Sequence, residues 1–210
     1  GQTAVFNSAI VLPSGATLTL QTNGTYSYNP ATSTTFDALA LGETATDSFA
    51  YTISDGQGGT ATATVTITIT GTNDLPIAVA DINATTEADP TTGNVLSNDT
   101  DVDANDVLVV ATVNNSAANV GSAIILPSGA TLTMLANGTY TYDPSTSATF
   151  NALAAGVTAT DVFTYSIADG KGGTASSTVT ITVTGVNDGP TAVDDLRTTD
   201  ESTTISGQLL

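Results

Sequence analysis

The sequence predicts an all-β protein built from repeated sandwich units, and three observations carry that prediction. Apolar and polar residues alternate with period two in several stretches rich in β-branched side chains. Asn-Gly and Asp-Gly-x-Gly-Gly turns separate these stretches. Finally, nearly every landmark recurs 114 positions later: Asn23-Gly24-Thr25-Tyr26 as Asn137-Gly138-Thr139-Tyr140, Asp55-Gly56 as Asp169-Gly170, and Asn73-Asp74 as Asn187-Asp188. About two thirds of the positions in 1–75 are identical to those in 115–189, without insertion or deletion. Solenoid rungs run to roughly 20–50 residues, so a period of this length is a whole domain.

The elements follow in order. Pro13-Ser14-Gly15 marks a turn, and Thr17–Leu20 pairs with Thr25–Tyr28 through Thr22-Asn23-Gly24-Thr25. Phe36 and Leu39, three apart and followed by Gly42, predict one short helical turn capping the sandwich. Residues 47–70 form a hairpin through Ser54-Asp55-Gly56-Gln57-Gly58-Gly59, with Phe49, Tyr51 and Ile53 on one buried face. Its second strand, Ala61–Thr70, puts Val65, Ile67 and Ile69 inward and threonines outward. Further strands are expected at Ile77–Thr85, Thr92–Leu96 and Val107–Val113, giving about seven per period, paired antiparallel because the turns are tight.

The phase of the repeat divides the chain into residues 1–75, the C-terminal part of one repeat; 76–189, a complete repeat; and 190–210, the start of the next. If the structural domain begins near Pro76, residues 1–75 lack their first strands and need a neighbouring segment or molecule to supply them.

Composition excludes several functions. The net charge is −18, from two basic and twenty acidic residues. Almost nothing can neutralise phosphate, which argues against nucleic acid and against docking on an anionic membrane. No apolar run approaches the roughly 20 residues of a spanning helix, so no direct membrane insertion is expected. The chain has neither cysteine nor histidine. Catalysis is not expected without a nucleophile–base pair: the only lysine, Lys171, is replaced by Gln57 in the other copy. The hydrophobic residues are ordered along the chain, which distinguishes it from a disordered acidic segment.

The acids carry the main functional signal. Thirteen of the twenty lie between Asp74 and Asp106 or between Asp188 and Glu201, and seventeen of the twenty are Asp. Asp99, Asp101, Asp103 and Asp106 form the densest run. Carboxylates brought together in a loop repel unless a cation neutralises them. Hard oxygen ligands without His or Cys favour Ca²⁺ over zinc, copper or iron. The run is not a helix-loop-helix calcium loop, because residue 104 is Ala instead of Gly and residue 110 is Val instead of Glu. A dispersed group, Asp74, Asp81 and Glu87 with the copies Asp188, Asp195 and Glu201, is expected to straddle the junction between neighbouring repeats and lock their angle. Asn73, Asn187 and Asp194 are further candidates there. Asp47 and Asp161 at a strand start, and Asp55 and Asp169 in the glycine turn, are additional candidates; turn chemistry alone explains the latter pair. Solvated acidic loops are the bland alternative, but such surfaces scatter their acids and use Glu as freely as Asp. Tyr26, Tyr28, Tyr140 and Tyr142, at i and i+2 on strands, are expected in the core rather than as a sugar-stacking platform.

The segment Gly42-Glu43-Thr44-Ala45-Thr46-Asp47-Ser48-Phe49, continuing through Ser54-Asp55-Gly56-Gln57-Gly58-Gly59 to Gly71-Thr72-Asn73-Asp74, resembles the VCBS-type repeat of large bacterial surface adhesins. Asn94-Val95-Leu96-Ser97-Asn98-Asp99-Thr100-Asp101-Val102-Asp103 is similar to the opening of bacterial cadherin-like repeats, departing from the commoner pattern at Ala104-Asn105. The resemblance spans essentially the whole chain. It implies tandem immunoglobulin-like (cadherin-like) Greek-key β-sandwiches stabilised by Ca²⁺, repeated in giant adhesins exported by type I secretion. In such proteins the repeats act as extracellular spacers, anchored through the parent protein to the outer membrane, in surface attachment or biofilm formation. Neighbouring repeats of the same chain are then the expected partners, and a carbohydrate- or protein-binding module is the alternative role.

Overall fold

A computed structural model describes residues 6–208. Thirteen strands and one α-helical turn make up nearly all of its regular structure. The first unit holds β1 (Ala9–Val11), β2 (Thr17–Leu20) and β3 (Tyr26–Asn29) in one antiparallel sheet. A single helical turn, α1 (Thr34–Asp37), follows, and then the long hairpin of β4 (Thr44–Ser54) and β5 (Thr60–Thr70).

The second unit has eight strands: β6 (Asp81–Thr86), β7 (Thr91–Asn94), β8 (Val109–Val113), β9 (Ala123–Ile125), β10 (Thr131–Met134), β11 (Thr139–Asp143), β12 (Thr158–Ala168) and β13 (Thr174–Thr184). They form two four-stranded sheets, ordered β6-β13-β12-β8 and β7-β11-β10-β9. β9 to β13 repeat β1 to β5 at the 114-residue period. β6, β7 and β8 have no counterpart among the described residues of the first unit.

Local chemistry explains why these residues form these elements. Asn137 accepts hydrogen bonds from the Thr139 N–H (3.1 Å) and hydroxyl (2.7 Å), which closes the β10–β11 turn, and Gly138 takes the left-handed conformation there (φ 83°). Asn23 makes the same bonds to Thr25 in the first unit. The long hairpin of the second unit alternates as the sequence predicts: Phe163, Tyr165, Ile167, Val179, Ile181 and Val183 all point into one core. In the hairpin of the first unit Phe49 is buried, but Tyr51 and Ile53, expected on the same buried face, are exposed. Leu132, Met134, Tyr140 and Tyr142 meet them from the opposite sheet, so the second unit is a two-layer sandwich. Tyr140 and Phe163 pack edge to face at 5.7 Å, with Gly93 fitted against the Tyr140 ring.

Two further expectations are corrected. β6 runs parallel to β13, pairing Asp81–Thr86 with Val179–Thr184, because it enters from the preceding unit rather than through a hairpin. The strand expected at Ile77–Thr85 begins only at Asp81, since Ile77 instead forms an isolated bridge to Thr100. Residues 185–208 contain no strand.

Candidate metal centre

The loop between the two units is where carboxylates gather. Residues 71–76 leave β5 and cross to the second unit, and the 101–106 loop folds back against them. The Asp74 N–H donates to Asp103 Oδ2 (2.8 Å), the Asp103 N–H to Asp101 Oδ1 (3.0 Å), and the Asp106 N–H to the Asp103 carbonyl (3.1 Å). These bonds fix the loop and aim its side chains at the glycine turn of the β12–β13 hairpin. There Asp169 is folded under its own turn, with Oδ1 accepting from the N–H groups of Lys171 (2.7 Å), Gly172 (3.0 Å) and Gly173 (3.0 Å). Gly173 is required, because a Cβ at this position would lie 2.0 Å from Asp169 Oδ2. Asp169 Oδ2 also accepts from Asn73 Nδ2 (2.8 Å).

Carboxylate oxygens of Asp101, Asp106 and Asp169 come within 4.8 Å of one another. Calcium–oxygen distances of about 2.3–2.6 Å allow opposed ligands to sit roughly 5 Å apart, so the spacing fits one ion. Buried oxygens give a second, independent sign. Asn73 Oδ1, Asp101 Oδ2, Asp103 Oδ1 and both Asp106 oxygens are buried without a hydrogen-bond partner. Buried polar groups are otherwise almost always satisfied, and an unpaired buried carboxylate is costly. Burial, then the neighbouring carboxylates of Asp103, Asp37 and Asp101, push the Asp74 carboxyl up; burial and Asp103 do the same to Asp106. The donor set of hard oxygens, unneutralised and facing inward, fits Ca²⁺.

The other sequence candidates are placed elsewhere. Asp99 turns away from the loop's other acids: its Oδ1 accepts from the Val79 N–H (2.7 Å). With Asp81 it flanks the Tyr165 hydroxyl, at 3.2 Å and 3.1 Å. Burial raises the Asp81 carboxyl, the Tyr165 hydroxyl and Asn98 lower it, Asp99 adds to the rise, and the net shift is upward. Glu87 lies at the opposite end of the second unit, not at the junction with the first. It is 2% exposed, and its Oε1 accepts from the Val186 N–H (2.8 Å), while Oε2 is buried and unpartnered. The dispersed group is therefore split between two ends. Val186 immediately precedes Asn187-Asp188, the copy of Asn73-Asp74, which places Glu87 beside the start of the next junction.

Asn187, Asp188, Asp194, Asp195 and Glu201 are exposed, and no carboxylate cluster among the described residues includes them. Asp55 makes the same turn as Asp169, accepting from Gln57 and Gly59 N–H groups, yet lies exposed. Asp47 and Asp161 serve the core instead. Asp161 Oδ2 accepts from the Tyr142 hydroxyl (2.9 Å) and the Ser128 hydroxyl (2.5 Å), and Asp47 repeats this with Tyr28 (2.9 Å) and Ser14 (2.5 Å). Tyr140 and Tyr142 are buried as expected; Tyr26 is half exposed.

Sequence reasoning missed the clasp beside the metal candidates. Asn105 Nδ2 donates to Glu43 Oε1 (2.5 Å), Glu43 Oε2 accepts from the Ala40 N–H (3.2 Å), and the Ala104 N–H donates to the Ala38 carbonyl (3.3 Å). The acidic loop of the second unit is thereby joined directly to the end of the first. Glu43 aligns with Val157 in the other copy, and nothing in either copy's pattern marks it as a contact.

No helix among the described residues is long and apolar enough to cross a membrane. A family model described as a bacterial cadherin-like domain matches residues 1–71 and again 73–185. No curated protein matches the chain.

Proposed function

This chain belongs to the bacterial cadherin-like domain family, and from that premise we propose that it is a calcium-stiffened spacer within a giant bacterial surface adhesin. The observation that carries the reading is the convergence of Asp101, Asp103, Asp106, Asp169 and Asn73 beside the Glu43–Asn105 clasp, with several oxygens buried and unpaired. A bound Ca²⁺ would neutralise these carboxylates and fix the 101–106 loop. That loop bonds the end of the first unit, so ordering it sets the angle between units. Asp74, whose N–H is held by Asp103, contributes charge at the same place.

We place the structural boundaries of the repeat at 76–189, flanked by the end of one repeat in 1–75 and the start of another in 190–210. In this phase Glu87 of one unit, with Asn187-Asp188, would meet the acidic loop of the following unit. Every junction would then draw acids from both sides. The array projects a distal ligand-binding region from the outer membrane for attachment or biofilm formation. Type I secretion into calcium-rich medium would couple folding to export, because the acidic loops repel one another until metal arrives.

The test is small-angle X-ray scattering on the 210-residue chain, in calcium and in excess EGTA, alongside calcium titration calorimetry. An extended, narrow distance distribution in calcium that broadens in EGTA supports the spacer. Indifference of shape together with no measurable calcium binding sinks it.

A further inference from the structure

Only two side chains in this acidic chain are basic, and one of them stands where the units join. Lys171 lies in the glycine turn of β12–β13, between Gly170 (φ 78°) and Gly172 (φ 113°), whose left-handed conformations hold the turn tight. Its N–H donates to Asp169 Oδ1 (2.7 Å), while Asp169 Oδ2 accepts from Asn73 of the crossing segment (2.8 Å). A Cβ on Gly173 would lie 3.0 Å from Pro76 Cδ, so the turn packs directly on the chain that joins the units. Carboxylate oxygens of Asp101, Asp106 and Asp169 meet here within 4.8 Å of one another. The turn thus brings the chain's only lysine to the edge of its carboxylate cluster.

Two observations assign the charge of that lysine, and not its backbone, to the cluster. The equivalent turn of the first unit has Gln57, whose N–H donates to Asp55 Oδ1 at the same 2.7 Å. A neutral side chain therefore builds the turn equally well. In addition, burial and then Asp103 push the Asp106 carboxyl up, whereas Lys171 pulls it down, outweighing Asp101 or Asp169 taken singly. Asp106 has two buried oxygens without a hydrogen-bond partner, and Asp101 and Asp103 have one each. The ammonium is a countercharge for them that needs no metal.

We propose that Lys171 is a tethered counter-cation of the calcium centre: it steadies the carboxylates when metal is absent and opposes Ca²⁺ as it binds, which sets the calcium concentration at which the junction orders. This role rests on the calcium reading of the cluster and adds what tunes it. Like charges repel over a Debye length, about 10 Å at 0.1 M ionic strength. Lys171 starts from a backbone N–H already bonded to a cluster carboxylate. A divalent ion entering among Asp101, Asp106 and Asp169 meets the field of the ammonium as well as theirs. Because Lys171 is exposed, solvent screens that field, so it modulates affinity without blocking the site. The direction is fixed all the same: neutralising Lys171 strengthens metal binding and weakens the metal-free fold.

The test is calorimetric titration of calcium into the 210-residue chain and its Lys171→Gln and Lys171→Arg variants, with melting in EGTA read on the same samples. Lys171→Gln should bind calcium about two- to ten-fold more tightly at low ionic strength and melt lower in EGTA. At about 1 M salt, where the Debye length falls to about 3 Å, the gain in affinity should vanish. Lys171→Arg keeps the charge and should hold the parent affinity at both salt concentrations. Equal calcium affinity for Lys171→Gln and the parent at low salt would overturn the inference while leaving the calcium centre standing. So would a gain in Lys171→Arg as large as in Lys171→Gln, since the lysine stem and not its charge would then be responsible. No measurable calcium binding by the parent would instead remove the calcium reading itself, and the role of Lys171 with it.

Discussion

At the scale of single residues, the same side-chain type does opposite work depending on what surrounds it. Asp161 is a core acceptor: the Tyr142 and Ser128 hydroxyls both reach its Oδ2. Tyr142→Phe removes a buried hydrogen bond to a charged group and should cost about 1.5–3 kcal/mol in chemical denaturation. Tyr28→Phe, at the more open Asp47 site, should cost less, because water can replace the hydroxyl. Asp106 has the reverse logic. Both its oxygens are buried without partners, and burial followed by Asp103 pushes its carboxyl up. A raised folded pKa means the folded state binds the proton more tightly than the unfolded chain. Asp74, Asp81 and Asp106 thus favour folding below the ordinary carboxylate range and lose that contribution as pH rises through their folded values. Asp47 and Asp169 oppose this: against burial, their hydrogen bonds hold them low, so they favour folding at higher pH. Asp106→Asn should therefore raise the melting temperature in EGTA at pH 7 and lower it in calcium. A melt in each buffer checks the sign, and the same sign in both would remove Asp106 from the metal centre. The sequence marked Asp101, Asp103 and Asp106 because they alternate in a short loop. It could not separate Asp169 from Asp55, since both make one turn and differ only in what long-range packing brings to them.

At the scale of elements, pattern was enough for the hairpins and insufficient for the crossing strands. Val65, Ile67 and Ile69, with their copies, announce a half-buried strand through alternation alone. β6 has no such apolar pattern: Asp81, Asn83, Thr85 and Thr86 are its partly buried positions, while Ile82 is 89% exposed. Its placement is set by polar contacts, namely Asp81 with the Tyr165 hydroxyl and Asn83 Nδ2 with the Tyr140 hydroxyl (3.0 Å), which only the folded sandwich provides. That is also why its parallel pairing with β13 was not legible. β7 depends on Gly93 for a different reason. A Cβ there would sit 2.6 Å from the Tyr140 ring, and Tyr140 is itself wedged edge to face against Phe163. Gly93→Ala must push β7 off β11 or move the ring, at a cost of about 1–3 kcal/mol. Hydrogen exchange should show the loss concentrated in Thr91–Asn94 and Thr139–Tyr142, with the β12–β13 hairpin little changed.

At the scale of the whole molecule, the proposed spacer would owe its stiffness to the interval between the units more than to either core. The 101–106 loop has two attachments: carboxylates converging on Asp169 and Asn73 within its own unit, and the Glu43–Asn105 and Ala38–Ala104 bonds to the preceding one. Calcium would act on the first attachment directly and on the second only through the loop. The two are separable because Glu43 lies outside the carboxylate cluster, and the other copy of the repeat has already replaced it with Val157. Asp37, whose charge adds to burial and to Asp103 in raising the Asp74 carboxyl, is likewise Asn151 in that copy. The clasp therefore cannot recur through the same side chains where Val157 and Asn151 stand in their place. Glu43→Val should leave calcium affinity and the melting of the second unit nearly unchanged, because neither the cluster nor the core loses a contact. It should nevertheless broaden the inter-unit distance distribution seen by small-angle scattering in saturating calcium. If the distribution stays as narrow as in the parent chain, the carboxylate cluster alone fixes the angle and the clasp is incidental. If calcium affinity falls as well, the two attachments form one cooperative site, and the junction responds to metal as a single switch.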